Sequence, residues 1–298
     1  MTESLSPADF YCSQISAAHD EPMAGTAVSA PVWVLLEYRQ PWLAQATNDN
    51  SLPTAVQAWL AAQLTAVNGR LQFIRQMPTP ASLTCFVAVL DEQQPRLYRF
   101  ALETYADLLA LSLADLAAGD GRFAANLHPD PLFLVCTNGK RDRCCALFGA
   151  ALYRELAAQA GTAVWQTTHL GGHRFAPTLL SFPDGVSYGR VAPADIPNLL
   201  AAHNQSQLLL SHLRGRLIYD PPTQAADYFL RQQIGQPQLA ALQHLRTDSP
   251  AAGQWTVHFR AASSGQIHPI HLQTTDPEPI WASCGGSQPK PIRSFILR

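Results

Sequence analysis

One arrangement constrains this chain more than any other: a single succession of strands and helices is written into it twice. Residues 32–38 are a β-branched and aromatic run that reads as a buried strand. Ser51 and Pro53 open a helix that runs to about residue 67 and stops at Asn68-Gly69. Residues 71–74, 83–90 and 96–101 read as three further strands, with a turn at 92–95, and residues 105–118 as a helix. The order is β-α-β-β-β-α, and it recurs about 100 residues later. There, strand 132–136 precedes a helix over 143–160 closed by Gly161, and a strand follows at 163–168. A hairpin of 179–182 and 186–191 turns at Pro183-Asp184-Gly185, and a helix closes the copy at 194–203.

The repeat lies in element order, not in residue identity, and it predicts an α/β fold of two tandem thioredoxin-like units. Residues 1–125 form the first unit with an irregular arm over residues 1–30, and 126–204 form the second. Residues 205–298 read as a small C-terminal α+β module: a link at 215–222, helices at 223–234 and 238–245, a loop at 249–253, and strands at 255–260 and 266–272. A chain of 298 residues exceeds what one ordinary core uses, in keeping with this division.

The two copies differ in chemistry. The second ends its first strand on Cys136, where the first has Glu37-Tyr38, and only the second follows its middle strand with a His-x3-His pair, His169 and His173. Cys136 and Cys145 stand at C-x8-C spacing. Asp142 is placed to cap the helix, which sets Cys145 in the first turn, where the helix dipole with Lys140, Arg141 and Arg143 favours its thiolate. Gly171 and Gly172 allow a tight loop that turns both imidazoles back toward Cys136. Zinc accepts two thiolates and two imidazoles, but its cysteines usually stand two to four residues apart. The wider step here suits a larger object such as a 2Fe-2S cluster, with thiolates on one iron and imidazoles on the other; zinc stays as the alternative.

Cys136-x2-Gly139-x-Arg141-Asp142-x2-Cys145, followed by His169-x-Gly171-Gly172-His173-Arg174-Phe175-Ala176, resembles the signature of the sucrase/ferredoxin-like family. The likeness extends to residues 21–27 and 33–37 and so covers at least 21–203. It implies a thioredoxin-like protein holding a bis-histidinyl, non-Rieske 2Fe-2S cluster on Cys136, Cys145, His169 and His173. It also implies an electron carrier, not a catalyst in its own right, whose partner is a reductase or an electron-acceptor protein. Cys144 departs from the pattern as an extra thiol beside a ligand. No carboxylate pair is positioned for glycoside hydrolysis, and no C-x-x-C supports a thiol oxidoreductase.

Composition narrows the setting. Only 14% of residues are charged and the net charge is -2, which disfavours nucleic acid or an anionic membrane as partner. No apolar run approaches the roughly 20 residues that span a bilayer, and residues 1–7 lack the basic and apolar regions of a secretory signal. The expectation is a cytoplasmic monomer or homodimer. In a reducing compartment the cysteines read as metal or redox groups, but only Cys136, Cys144 and Cys145 lie near one another along the chain. Cys12 and Cys144 read as small buried thiols, and His19 as solvated. Arg174 either holds its loop or forms a docking rim with Lys140 and Arg143. His268 and His271 fall on opposite faces of a strand, so with His258 they make no metal site. The metal-free first unit takes the place that a second subunit has in dimeric ferredoxins of this fold.

Overall fold

A computed structural model describes residues 10–298. The expectation of no signal segment and the start of the irregular arm rest on residues 1–9 and lie outside the described residues. The rest of that arm is not all irregular, because α1 (Cys12–Ala18) is a helix with Cys12, Ser13 and Ser16 buried.

The first unit comprises β1 (Val32–Glu37), α2 (Thr54–Ala66), β2 (Arg70–Arg75), β3 (Leu83–Val89) and β4 (Arg96–Leu102), then a 3-10 turn (Tyr105–Ala110) and α3 (Leu113–Ala118). The single helix expected over 105–118 is thus two pieces. Asp107 accepts from the backbone N–H groups of Glu103 and Thr104, while Ser112 accepts from that of Asp115, so the chain is capped twice and restarts. The second unit comprises β5 (Leu132–Cys136), a π turn (Cys145–Gly149) leading into α4 (Ala150–Ala160), β6 (Val164–Thr167), β7 (Thr178–Phe182), β8 (Val186–Gly189) and α5 (Ile196–Asn204).

Strand pairing makes the two copies equivalent. In each, the first two strands are parallel and the third and fourth follow antiparallel on the other side of the first. This is the thioredoxin-like arrangement, built twice. The units meet at their second strands, antiparallel, through Ile74 opposite Thr167 and Arg75 opposite Gln166, so one sheet runs through both.

Alternation along the strands explains the layers. Val34 and Leu36 face α2 with Val56 and Leu60, and Phe133 and Val135 face α4 and α5 with Leu152 and Leu199. The intervening Trp33, Leu35, Leu132 and Leu134 join one core shared by both units on the opposite face. Phe86 and Trp165 meet edge-on across the junction at 5.7 Å, so the first unit is packed against the second.

Beyond α5 the structure corrects two expectations. Strand β9 (Leu213–Arg216), whose last two residues fall in the expected link, pairs with β8 and makes the sheet nine-stranded. The open edge of β8 needed a partner, and the short run Leu-Arg-Gly-Arg, with two charges and a glycine, concealed one. After α6 (Pro221–Ile234) comes β10 (Leu242–Ala251), where a second helix and a loop were expected. Leu239, Leu242 and Leu245 imitate a helical face, but pairing with β11 (Gln254–Ala261) prevails. With β12 (Ile267–Thr274) and β15 (Phe295–Leu297) these form a four-stranded sheet under α6, and β13 (Glu278–Ile280) with β14 (Lys290–Ile292) forms a separate hairpin.

Candidate metal centre

The register of β5 and β6 sets the site. Cys136 pairs with Thr167 in parallel, so the chain leaves both strands at the same end of the sheet and His169 emerges beside Cys136. The turn after β5 is held by Asn138, whose carbonyl accepts from the N–H groups of Arg141 and Asp142. The Asp142 carboxylate then accepts from the Cys144 N–H at 2.9 Å. Gly149 lets the helical turn settle onto the strand end, since a Cβ there would fall on the Cys136 carbonyl oxygen. Close approach of helix to strand brings Cys145 to Cys136.

The four expected donors run in sequence across the site. Cys136, Cys145 and His169 offer ligand atoms that all lie within 4.8 Å of one another. Cys145 Sγ is 4.0 Å from His169 Nδ1, and His169 Nε2 is 3.3 Å from His173 Nδ1. His173 Nε2 in turn faces Asp142 Oδ2 at 3.6 Å. Gly171 and Gly172 carry φ values of 79° and 67°, the left-handed region that a side chain resists, and this folds the histidine loop back on itself. Both cysteines are 1% exposed, whereas His169 is half-buried and borders an open hollow of about 260 Å³ beside Arg70 and Arg141. Gly139 and Arg141 lie at the exposed turn, and Gln72 of the first unit donates to the His169 carbonyl.

The two buried thiols share one hydrogen bond, which shifts them in opposite directions. A hydrogen bond from Cys145 holds the Cys136 thiol well below its ordinary range despite burial, with His169 adding to the effect. Cys145 is pushed up by the same bond and by burial. Lys140, Arg141 and Arg143 are exposed, while Cys145 turns inward beside Asp142 and Cys144. Burial lowers the His173 pKa, with Asp142 opposing.

Two residues that sequence reasoning did not single out complete the site. Gly149 is one. The other is Arg214 on β9, 1% exposed, whose guanidinium donates to the carbonyls of Gly171 and Thr26 and to the Thr26 hydroxyl. Burial lowers its pKa to about 9, and the negative charge of Cys136 acts against that fall. Arg174 is tied into the loop: Nε donates to Glu21 Oε1 at 2.6 Å and its guanidinium lies over Phe175. Arg143 reaches back to the Phe10 carbonyl. His258, His268 and His271 enter no metal-competent group among the described residues.

The thiols gather more than their spacing suggested. Cys12 and Cys284 meet Cys144 and Asp142 in a second buried group, so five of the six cysteines lie in two neighbouring clusters. Their separations of 272 and 140 residues hid this from any reading of local pattern.

No helix among the described residues is long and apolar enough to cross a membrane. The chain matches the family described as Sucrase/ferredoxin-like over residues 23–215. Among curated proteins, Altered inheritance of mitochondria protein 32 of Meyerozyma guilliermondii is 35% identical over 81 residues, 24% of this chain and 29% of that protein. The protein of the same name in Eremothecium gossypii is 27% identical over 141 residues, 37% of this chain and 45% of its own. The matched stretches thus span less than half the length of these relatives. No solved structure matches. Since the family match takes in both α/β units and all four donors from Cys136 to His173, the chain belongs to the sucrase/ferredoxin-like family.

Proposed function

We propose that the protein is an electron carrier whose 2Fe-2S cluster is held by Cys136, Cys145, His169 and His173. The observation that carries this reading is the line of four donors at one end of β5 and β6, two sulfurs followed by two imidazoles. His173 falls outside the close group of Cys136, Cys145 and His169, which suits a two-iron core better than one ion held by all four. Arg214 supports it too. A buried guanidinium with only neutral hydrogen-bond acceptors is costly unless an anion lies near, and thiolates bound to a cluster supply one.

A cluster of this type supplies a one-electron store. With two thiolates replaced by neutral imidazoles its potential is expected between about -400 mV, typical of plant ferredoxins, and the roughly -150 to +300 mV of Rieske centres. The chain's own residues do the rest. Asp142 orients His173 from behind, as carboxylates do for ligating imidazoles, and the buried faces of Cys136 and Cys145 exclude water. His169 is the route outward, because its ring borders the surface hollow where Arg70 and Arg141 would meet an acidic face of a reductase or acceptor protein. A reducing compartment such as the cytoplasm suits the free thiols. The first unit, sheet-paired to the second, occupies a partner's place, so the chain acts as a one-chain counterpart of a dimer.

The test is iron and acid-labile sulfide in protein purified without oxygen, with a paramagnetic signal from the reduced state. Both are expected in the wild type, and both are lost when His169 and His173 are changed together to Ala. Iron and sulfide unaffected by that change sink the proposal. Zinc in place of iron, lost with Cys136→Ser, supports the second reading, a zinc-stabilised interaction module, which the close grouping of Cys136, Cys145 and His169 favours.

A further inference from the structure

Beside the proposed cluster site lies a second set of donors that none of that chemistry uses. Cys12 comes from α1, Cys144 from the turn before the π segment, and Cys284 from the stretch between β13 and β14. Their sulfurs form a nearly equilateral triangle: Cys12 to Cys144 3.6 Å, Cys144 to Cys284 3.3 Å, Cys12 to Cys284 3.6 Å. Asp142 Oδ1 stands 3.9 Å from Cys12 Sγ, and all four ligand atoms lie within 4.8 Å of one another. The three cysteines are 0%, 0% and 3% exposed, and Asp142 is 4% exposed.

We propose that Cys12, Cys144 and Cys284, with Asp142, bind a zinc ion at a site separate from the Cys136–His173 centre. Three arguments lead there. Thiolates about 2.3 Å from a tetrahedral zinc stand about 3.8 Å apart, close to the spacings seen. A disulfide accounts for the geometry less well, since its sulfurs are about 2.05 Å apart and it would use two of three equivalent thiols. The sulfurs also receive hydrogen bonds suited to thiolates: Ser13 Oγ donates to Cys144 Sγ at 3.2 Å, and the Cys12 N–H donates to Cys284 Sγ at 3.3 Å.

The fourth donor is held as a metal-binding carboxylate should be. Asp142 Oδ2 accepts from Ser283 Oγ and the Cys284 N–H, each at 3.0 Å, while Oδ1 accepts from the Cys144 N–H at 2.9 Å and lies on the sulfur side. Soft thiolates with one carboxylate favour zinc over magnesium or calcium, which take oxygen donors. An ion here ties α1 and the segment around Cys284, 272 residues apart, to the loop that carries Cys145. Because Asp142 Oδ2 also faces His173, the ion would fix the wall of the neighbouring site as well.

The experiment is metal analysis of the full-length chain, purified from cells supplied with iron and zinc, as wild type, Cys284→Ser and Cys136→Ser. The expected result is about one equivalent of zinc in the wild type, retained in Cys136→Ser and reduced at least about tenfold in Cys284→Ser with any iron unchanged. Zinc missing from the wild type overturns the proposal, and so does zinc that follows Cys136 and ignores Cys284. Should Cys284→Ser fail to fold, cobalt(II) replaces zinc in the wild type and in Cys136→Ser. Sulfur-to-cobalt charge transfer that persists in Cys136→Ser, with Cys12, Cys144 and Cys284 shielded from alkylation until chelator is added, supports the site. A disulfide linking two of the three in the purified protein, or alkylation unaffected by metal, overturns it. Iron content reports on the cluster separately, so either reading can fail alone.

Discussion

The ends of β1 and β5 occupy matching places in the two units, and they have been put to opposite uses. At the end of β5, Cys136 is a buried cysteine beside another thiol and an imidazole. At the end of β1, Glu37 is 1% exposed and fully engaged, taking Arg39 Nε at 2.8 Å on one oxygen and the Thr84 N–H at 3.0 Å on the other. One fold thus presents the same strand end either as a satisfied structural contact or within a group that could hold a metal. What separates them is the surroundings. The first unit runs 16 residues, 38–53, between β1 and α2, and Arg39 at the start of that stretch turns back to neutralise Glu37. The second brings its helical turn down on Cys136 through Gly149 and returns the histidine loop through Gly171 and Gly172.

The largest test of this contrast is removal of the strand-end residue itself. Cys136→Ser is expected to abolish bound iron and the visible absorption, whereas Glu37→Gln leaves both intact. Loss of colour in Glu37→Gln would mean that the first unit takes part in the chemistry. Gly149→Ala comes next, since its methyl group has only the Cys136 carbonyl to displace. Overpacking of this kind costs about 1–3 kcal/mol or more, and iron occupancy is expected to fall with it, read by metal analysis beside urea unfolding. An alanine that leaves occupancy and midpoint unchanged would show that close approach of the turn is not what builds the site.

Glu37→Ala sharpens the comparison from the other side. It orphans the Thr84 N–H, a loss of about 1–3 kcal/mol, and frees Arg39, which at 37% exposure can turn to water. Urea unfolding should show this destabilisation while the spectrum of the bound centre stays fixed.

These contrasts also explain what could be read in advance. The repeated β-α-β-β-β-α order was legible because strand and helix periodicities are local, and the four donors were legible because Cys136 with Cys145 and His169 with His173 lie close in sequence at the ends of recognisable strands. Gly149, Arg214, Cys12 and Cys284 were not, because their roles depend on approach between segments far apart along the chain. Strand β9 and the start of β10 were misread for a related reason: what makes them strands is an edge supplied by β8 and by β11, which their own residues do not encode.

Arg214→Gln should act on the potential with little effect on occupancy. A buried positive charge favours the more negative, reduced centre, so its removal lowers the potential, on the order of tens of millivolts for partly screened charges at this range. Arg39 carries the contrasting cation in the first unit, paired with Glu37, and Arg39→Gln is expected to leave the potential unchanged. Equal shifts from both would trace the effect to net charge alone.

The smallest effect expected is the response of the potential to pH, and its sign follows from charge. Reduction adds negative charge beside an imidazole, which raises that ring's affinity for a proton, so reduction is easier where protons are abundant. The potential should therefore fall as pH rises, by at most about 59 mV per unit for one electron coupled to one proton. His173 is poorly placed to take that proton, since burial depresses its pKa and Asp142 occupies its far nitrogen. His169 is the imidazole with an open side, bordering the hollow beside Arg141. Titration of the potential between pH 6 and 9 should then show a slope in the wild type that flattens in His169→Cys, where the thiolate ligand carries no exchangeable proton. A slope that survives this change assigns the coupling to His173, and a flat wild-type profile removes proton uptake from the second unit altogether, leaving both strand ends equally indifferent to pH.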